Sequence, residues 1–287
     1  VKVVPIAQVD AFTSEPFRGN PAGVCLLHGE APEEWMALVA AEMNLSETAF
    51  LVPGEGEFGI RYYTPLVEVP LCGHATLASA HLLWEQGIVP INREIAMQAK
   101  GGRLVAARED EWIRLDFPTI PVRPAAVPEG LAEALGAEIL AAYQAWEAGY
   151  LVLLDGQETV RLLQPDFGRL RSYGPIIATA RATPDASVAT VCFDFVSRFF
   201  APSLGIDEDP VTGVAHCCLG PFWAERIGRM DLSGRQLSQR GGVVRVRVRG
   251  ERVDLLGQAV TVMRGEMVGW SGGVPSDTDL VARGTSA

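Results

Sequence analysis

Strand-like patterns dominate both ends and the middle of the chain. Val3 to Val9 and Gly23 to Leu27 are short apolar runs, parted by the turn-rich stretch Thr13 to Pro21. Val243 to Val248 alternates valine with arginine, the period of a strand with one wet face. Longer amphipathic stretches predict helices over Glu33 to Met43, Thr76 to Gln86, Gly130 to Trp146 and Ala215 to Ile227. Strands grouped around a few helices, without strict alternation, predict an α+β architecture. The proline-rich stretch from Phe117 to Pro124 reads as an extended linker, and the small, polar tail after Gly272 as loosely held.

One pattern occurs twice. Arg61-Tyr62-Tyr63-Thr64-Pro65 returns as Arg198-Phe199-Phe200-Ala201-Pro202, and Pro70-Leu71-Cys72-Gly73-His74-Ala75 as Pro210-Val211-Thr212-Gly213-Val214-Ala215. The offsets are 137 (61 to 198) and 140 (70 to 210), with extra residues around Asp207-Glu208-Asp209 in the second copy. Both copies run into an amphipathic helix with a tryptophan near its end, Trp84 and Trp223. Order, chemistry and spacing agree, so an internal duplication is expected. Either offset is close to half of the 287 residues. The halves are therefore read as copies of one unit, 1–118 and 119–287, with a strand near 265–287 allowed to return to the first.

Composition narrows the function. Hydrophobic residues make up 48% and charged ones 21%, enough for a large buried core. The net charge is −11, from 24 basic and 35 acidic residues, which argues against a nucleic-acid partner. No apolar run approaches the roughly 20 residues of a membrane span. The opening Val1 to Pro5 lacks a signal peptide's apolar core. Five cysteines (Cys25, Cys72, Cys192, Cys217, Cys218) are odd in number and form no CxxC, as expected of reduced thiols in the cytoplasm.

Candidate chemistry gathers at the repeated turns. Each copy places a P-x-x-G-x-A turn at a helix start, where unpaired amides and the helix dipole favour an anion. Two such turns are expected to grip a small carboxylate, although either glycine alone would serve equally as a tight turn. Glu47, between Ser46 and an apolar run, is a candidate general acid/base if partly buried, or a strand-entry residue in water. His74, behind Gly73, would be held neutral by the dipole and either donate a proton or cap the helix. Asp209 precedes Pro210 as a cap or a polar partner. His28, His81 and His216 show no ligand spacing, and Cys72 is the one thiol placed for activation. No P-loop, dinucleotide fingerprint, HExxH or G-x-S-x-G is found, so neither a cofactor nor a metal is expected.

These residues resemble a known family. Val9 to Phe12 with Phe17 to Gly23, then Asn44 to Phe50, Leu71 to Ala75 and Asp209 to Ala215, are similar in kind and order to the PhzF-like phenazine-biosynthesis isomerases. The resemblance implies the diaminopimelate epimerase-like fold: two pseudo-symmetric domains, each a sheet wrapped around a central helix, with the active site in the cleft between them. It implies a cofactor-independent isomerase, expected as a homodimer, in which Glu47 moves a proton on a small acid. His74 and Asp209 would be its catalytic partners, with Asn20, Ser46, Gly73, Thr212, Gly213 and Val214 at the substrate. The prototype reaction shifts a double bond in a dihydro-hydroxyanthranilate. Here Val214 stands where the family often has serine, so the phenazine substrate does not transfer with the fold. Two rivals stay open: a cysteine-based epimerase or dehydratase using Cys72, with Thr212 in the other half, and a non-catalytic binder of small acids.

Overall fold

The computed structural model describes residues 3–146, 149–183 and 193–268. Two units emerge: the described residues up to Asp116 together with those from Leu256 onward, and Phe117–Leu255. The sequence reading gave 119–287 to the second half, with a strand near 265–287 allowed to return to the first. In the structure that unit ends at Leu255, because the strand that follows pairs with the beginning of the chain.

In the first unit the chain runs β1 (Val3–Ala11), β2 (Asn20–Leu26), α1 (Glu33–Met43), β3 (Glu47–Pro53), β4 (Phe58–Tyr63) and β5 (Glu68–Val69). It continues through α2 (Gly73–Glu85), β6 (Ile95–Ala99), β7 (Gly102–Glu109) and β8 (Trp112–Pro118). The second unit holds β9 (Arg123–Ala125), α3 (Leu131–Leu135), β10 (Ala141–Trp146), β11 (Gly149–Leu153), α4 (Gln157–Leu162), α5 (Phe167–Leu170), β12 (Ile176–Arg181) and β13 (Phe195–Ala201). Next come β14 (Ile206–Asp209), α6 (Gly213–Ile227), β15 (Asp231–Gln236), β16 (Gly242–Arg249) and β17 (Arg252–Gly257), before β18 (Ala259–Val268).

The repeat extends to the pairing. β1–β2 and β10–β11 are antiparallel, β2–β3 and β11–β12 parallel, β3–β4 and β12–β13 antiparallel. β4 and β13 each then pair antiparallel with a short strand and parallel with the strand after the helix. Even an ion pair is copied. Arg61 meets Glu68 at 2.8 Å and lies over the Tyr63 ring, and Arg198 meets Glu208 at 2.7 Å over Phe200. The last strands trade places: β9 follows β8 but pairs with β10, and β18 follows β17 but pairs with β1.

The helix after each repeated turn is buried nearly all round, as a helix inside a sheet must be. In α2, His74 to Ala80 and Leu82 to Trp84 are buried, and the helix packs on β1, β2, β3 and β18. In α6, Ala215 to Gly220 and Phe222 to Ala224 are buried, against β15 and β16. Each fully buried leucine in this position stabilises the fold by about 1.5–3 kcal/mol. Trp84 Nε1 donates to the Arg93 carbonyl and Trp223 Nε1 to Thr179 Oγ1, both at 3.0 Å, so neither buried indole is left unpaired.

Two expectations need correction. The helix foreseen over Gly130 to Trp146 stops at Leu135, because Gly136 turns left-handed (φ 74°) and its N–H closes on Ala132. Ala141–Trp146 is a strand between β9 and β11. Its apolar positions fit either period, and the glycine decides. The proline-rich stretch, in turn, is not a free spacer. Thr119 donates to the Glu251 carbonyl at 2.9 Å and Ile120 to that of Cys217 at 3.0 Å. Cys217 has this acceptor to offer because Pro221, four residues on inside α6, carries no N–H. Cys192 and the tail after Gly272 lie outside the described residues.

Candidate active site

In the first unit the beginnings of β2, β3 and α2 meet. The chain leaves β1 through a loop anchored by the fully buried Asp10, whose Oδ2 accepts the Phe17 N–H at 2.7 Å. Gly19 then turns left-handed (φ 64°), so tightly that a Cβ there would lie 2.1 Å from the Ala11 carbonyl oxygen. Only glycine satisfies both conditions. The next residue, Asn20, is fully buried, with its Nδ2 3.3 Å from His74 Nδ1 and its Oδ1 accepting from Ser46 Oγ at 3.4 Å. Glu47 opens β3 beside Ala22, with Oε2 3.4 Å from His74 Nε2.

These contacts set the proton. With Asn20 donating, His74 Nδ1 is an acceptor and the ring carries its hydrogen on Nε2, facing Glu47. That nitrogen is buried and lacks hydrogen-bond alignment with the carboxylate despite the short separation. Burial lowers the imidazole to about 3, so it is a neutral donor at physiological pH. Cys72 precedes Gly73 with Sγ 3.4 Å from Nδ1, and it does not cap α2 with its side chain. Donor atoms of Glu47, Cys72 and His74 all lie within 4.8 Å of one another, so among the described residues these three could hold a metal.

The corresponding turn of the second unit is clamped differently. Asp209 ends β14 and accepts from Thr212 Oγ1. Gln236, fully buried at the end of β15, accepts the Thr212 N–H at 3.0 Å and donates to the Asp209 carbonyl at 2.7 Å. Ser238 Oγ donates to the Pro210 carbonyl at 2.7 Å, as the Gly101 N–H does to Pro70 at 2.8 Å in the first unit. Thr212 has no side-chain bond to its own helix, so α6, like α2, starts with amides that no side chain caps. Val214 leaves an apolar, exposed side chain on the first turn, and His216 sits in the core with Nδ1 2.8 Å from the Thr212 carbonyl.

The predicted residues thus form two groups. Asn20, Ser46, Glu47, Gly73 and His74 gather in the first unit, with Cys72, and Asp209, Thr212, Gly213 and Val214 in the second. Gln236 and Ser238 were not foreseen, because a glutamine closing a strand gives no local signal that it holds a turn more than twenty residues away. Replacing Gln236 by methionine keeps its bulk but removes the acceptor of the Thr212 N–H and one donor to the Asp209 carbonyl. A loss of about 1–3 kcal/mol in urea unfolding is expected, the cost of one buried N–H left unpaired.

The histidines add a pH dependence. Burial lowers His216 to about 4, against its bond to the Thr212 carbonyl that favours the charged ring, and His74 to about 3. Both lie below the unfolded value of about 6.5, so the unfolded chain binds more protons in between. Their contribution is complete above pH ~6.5 and is lost as pH falls toward 3–4. Unfolding free energy is expected to drop by about 2–4 kcal/mol from pH 7 to pH 5, and His216→Gln to remove about half of that drop. A pH-independent stability across this window would contradict the neutral burial of both rings.

Against known proteins, the family profile described as phenazine biosynthesis-like protein (PhzC-PhzF) matches residues 9–265. The chain belongs to the PhzF family. An isomerase of Halalkalibacterium halodurans, itself described as uncharacterised, is 44% identical over 267 residues, 92% of this chain and 98% of that one. A PhzF-family crystal structure from Enterococcus faecalis superposes with a TM-score of 0.86 at 37% identity, covering 93% of this chain and 100% of the other. A hydroxyproline epimerase from Agrobacterium vitis shares the fold alone, with a TM-score of 0.56 at 12% identity over 93% and 91% of the two chains. This PhzF protein is accordingly an isomerase of α+β, epimerase-like fold. No helix among the described residues is long and apolar enough to cross a membrane.

Proposed function

We propose that this PhzF protein is a cofactor-independent isomerase in which Glu47 is the general acid/base, moving a proton on a small carboxylic acid. One observation carries the reading: the Glu47 carboxylate lies 3.4 Å from Nε2 of a buried, neutral His74 whose other nitrogen is engaged by Asn20. A carboxylate in this setting takes a proton from a carbon made acidic by a neighbouring carbonyl or double bond, and returns it at another carbon or on the other face. His74 offers Nε2–H to the electron-rich oxygen that develops as the proton leaves. The uncapped amides at Gly73, and in the second unit those at Gly213, each suit a carboxylate, so an acidic protein can hold an anion without a basic surface. Asp209, fixed by Thr212, is the further polar partner. Cys25, Cys72, Cys217 and Cys218 are buried thiols that form no disulfide among the described residues, which supports a place in the reducing cytoplasm.

A second reading has its own observation, the approach of Cys72 Sγ to His74 Nδ1 at 3.4 Å, which suits a thiol base. A screen of small acids in deuterated water separates the two. Label should enter a substrate with the wild type and with Cys72→Ala, and not with Glu47→Gln. The reverse pattern moves the chemistry to the thiol. Binding without exchange in any compound would make the protein a binder and not an enzyme.

A further inference from the structure

The duplication provides an internal control for a second cavity. In the first unit a cavity of about 590 Å³, within the range of small-molecule sites, opens over the sheet beside α1. Its floor is apolar, with Leu27, Met36 and Phe50, and Arg61, Glu68 and Lys100 stand among its polar lining. None of these residues belongs to the site around Glu47.

In the second unit the matching space is filled by the chain itself. The crossover between the parallel strands is α1 in one unit and α4 with α5 in the other. By register, Phe50 and Gly59 on the cavity wall correspond to Ala178 and Val196. Those two lie in a core cluster with Val160, Leu163 and Leu170 of the crossover; in the first unit Phe50 likewise shares a cluster with Met36, Val39 and Ala40 of α1, but Gly59 brings no side chain to the space that Val196 fills. Arg198 there donates from Nη1 to the Leu163 carbonyl at 2.7 Å, and its side chain is only 11% exposed. Its counterpart Arg61 is 37% exposed, and its Nη2 lies 3.4 Å from Glu33. What the second copy supplies covalently is therefore an aliphatic body and a neutral carbonyl. Charge points the same way: the lining is balanced, with Glu30 and Glu68 against Arg61 and Lys100, so it favours neither an anion nor a cation.

We propose that this cavity binds a small uncharged molecule joining an aliphatic or aromatic body to a carbonyl group that accepts from Arg61. Crystal soaking and calorimetric titration with N-acetyl-L-leucinamide test it. Expected is one bound molecule per chain in the millimolar range, with a carbonyl on Arg61 and the leucine over Met36 and Phe50. N-acetyl-L-leucine, carrying a carboxylate, should bind about tenfold more weakly. Arg61→Met should weaken the amide by about tenfold or more. Because Arg61 also anchors Glu68, a second variant fills the cavity: a Cβ at Gly59 meets nothing closer than 3.8 Å, so Gly59→Leu is accommodated and should abolish binding. Absence of binding to the wild type, density elsewhere, or unchanged affinity in Gly59→Leu would overturn the proposal.

Discussion

Replacing Glu47 by glutamine is expected to slow solvent-deuterium exchange by about a thousandfold while leaving the fold intact. The amide matches the carboxylate in size and keeps an oxygen near His74, but it cannot carry the proton. The side chain is 15% exposed, so the substitution buries no new polar group and opens no cavity. Stability should change by less than about 1 kcal/mol, which makes the lost rate a statement about chemistry. Glu47→Asp is the companion test. It keeps the charge but withdraws it by one methylene, and an intermediate rate is expected because proton transfer depends on reach. Full exchange in Glu47→Gln would remove the glutamate from the reaction.

The second large effect is expected at Gly19, which never touches a substrate in our reading. Gly19→Ala meets two penalties at once: the left-handed φ of 64°, and a Cβ 2.1 Å from the Ala11 carbonyl. Backbone cannot yield as a flexible side chain can, so the loop between β1 and β2 must rebuild. A destabilisation of at least about 2 kcal/mol is expected. Exchange should suffer more than stability, because Asn20 is the next residue and its Nδ2 engages His74. Under conditions where the variant is fully folded, the rate is expected to stay at least about tenfold below wild type. A folded Gly19→Ala with normal exchange would mean that Asn20 does not govern the imidazole.

Much of this was legible in the chain. Glu33–Met43 was read with its observed bounds, since acidic residues open it and Asn44 closes it in the left-handed conformation. The repeated turns were legible because proline and glycine at fixed spacing mark a helix start. In the structure, α2 and α6 begin at those glycines, earlier than the apolar periodicity alone suggested. The gathering of Glu47 and His74 was reached only through the family resemblance; spacing along the chain does not say that β3 and α2 begin side by side. Gln236 was illegible. Its partners, Thr212 and Asp209, are brought to it by the β13–β15 pairing, and nothing near Gln236 in sequence differs from an ordinary strand end. The Gly130 to Trp146 stretch misled because its apolar spacing suits both periods.

The exchange of terminal strands bears on synthesis as well as on structure. A ribosome releases β1 to β8 early, yet β1 lacks its outer neighbour until β18 emerges, with Ile6 waiting for Gly265. The unit made first is thus the last to close. Until then it shows an unpaired strand edge to the cell, the kind of surface that chaperones cover and that aggregates recruit. The second unit meets no such delay, since β9 precedes the β10 it pairs with by only a short stretch of chain. Folding during translation should therefore complete the second unit first, with the sheet that carries Glu47 closed only once β18 has paired with β1.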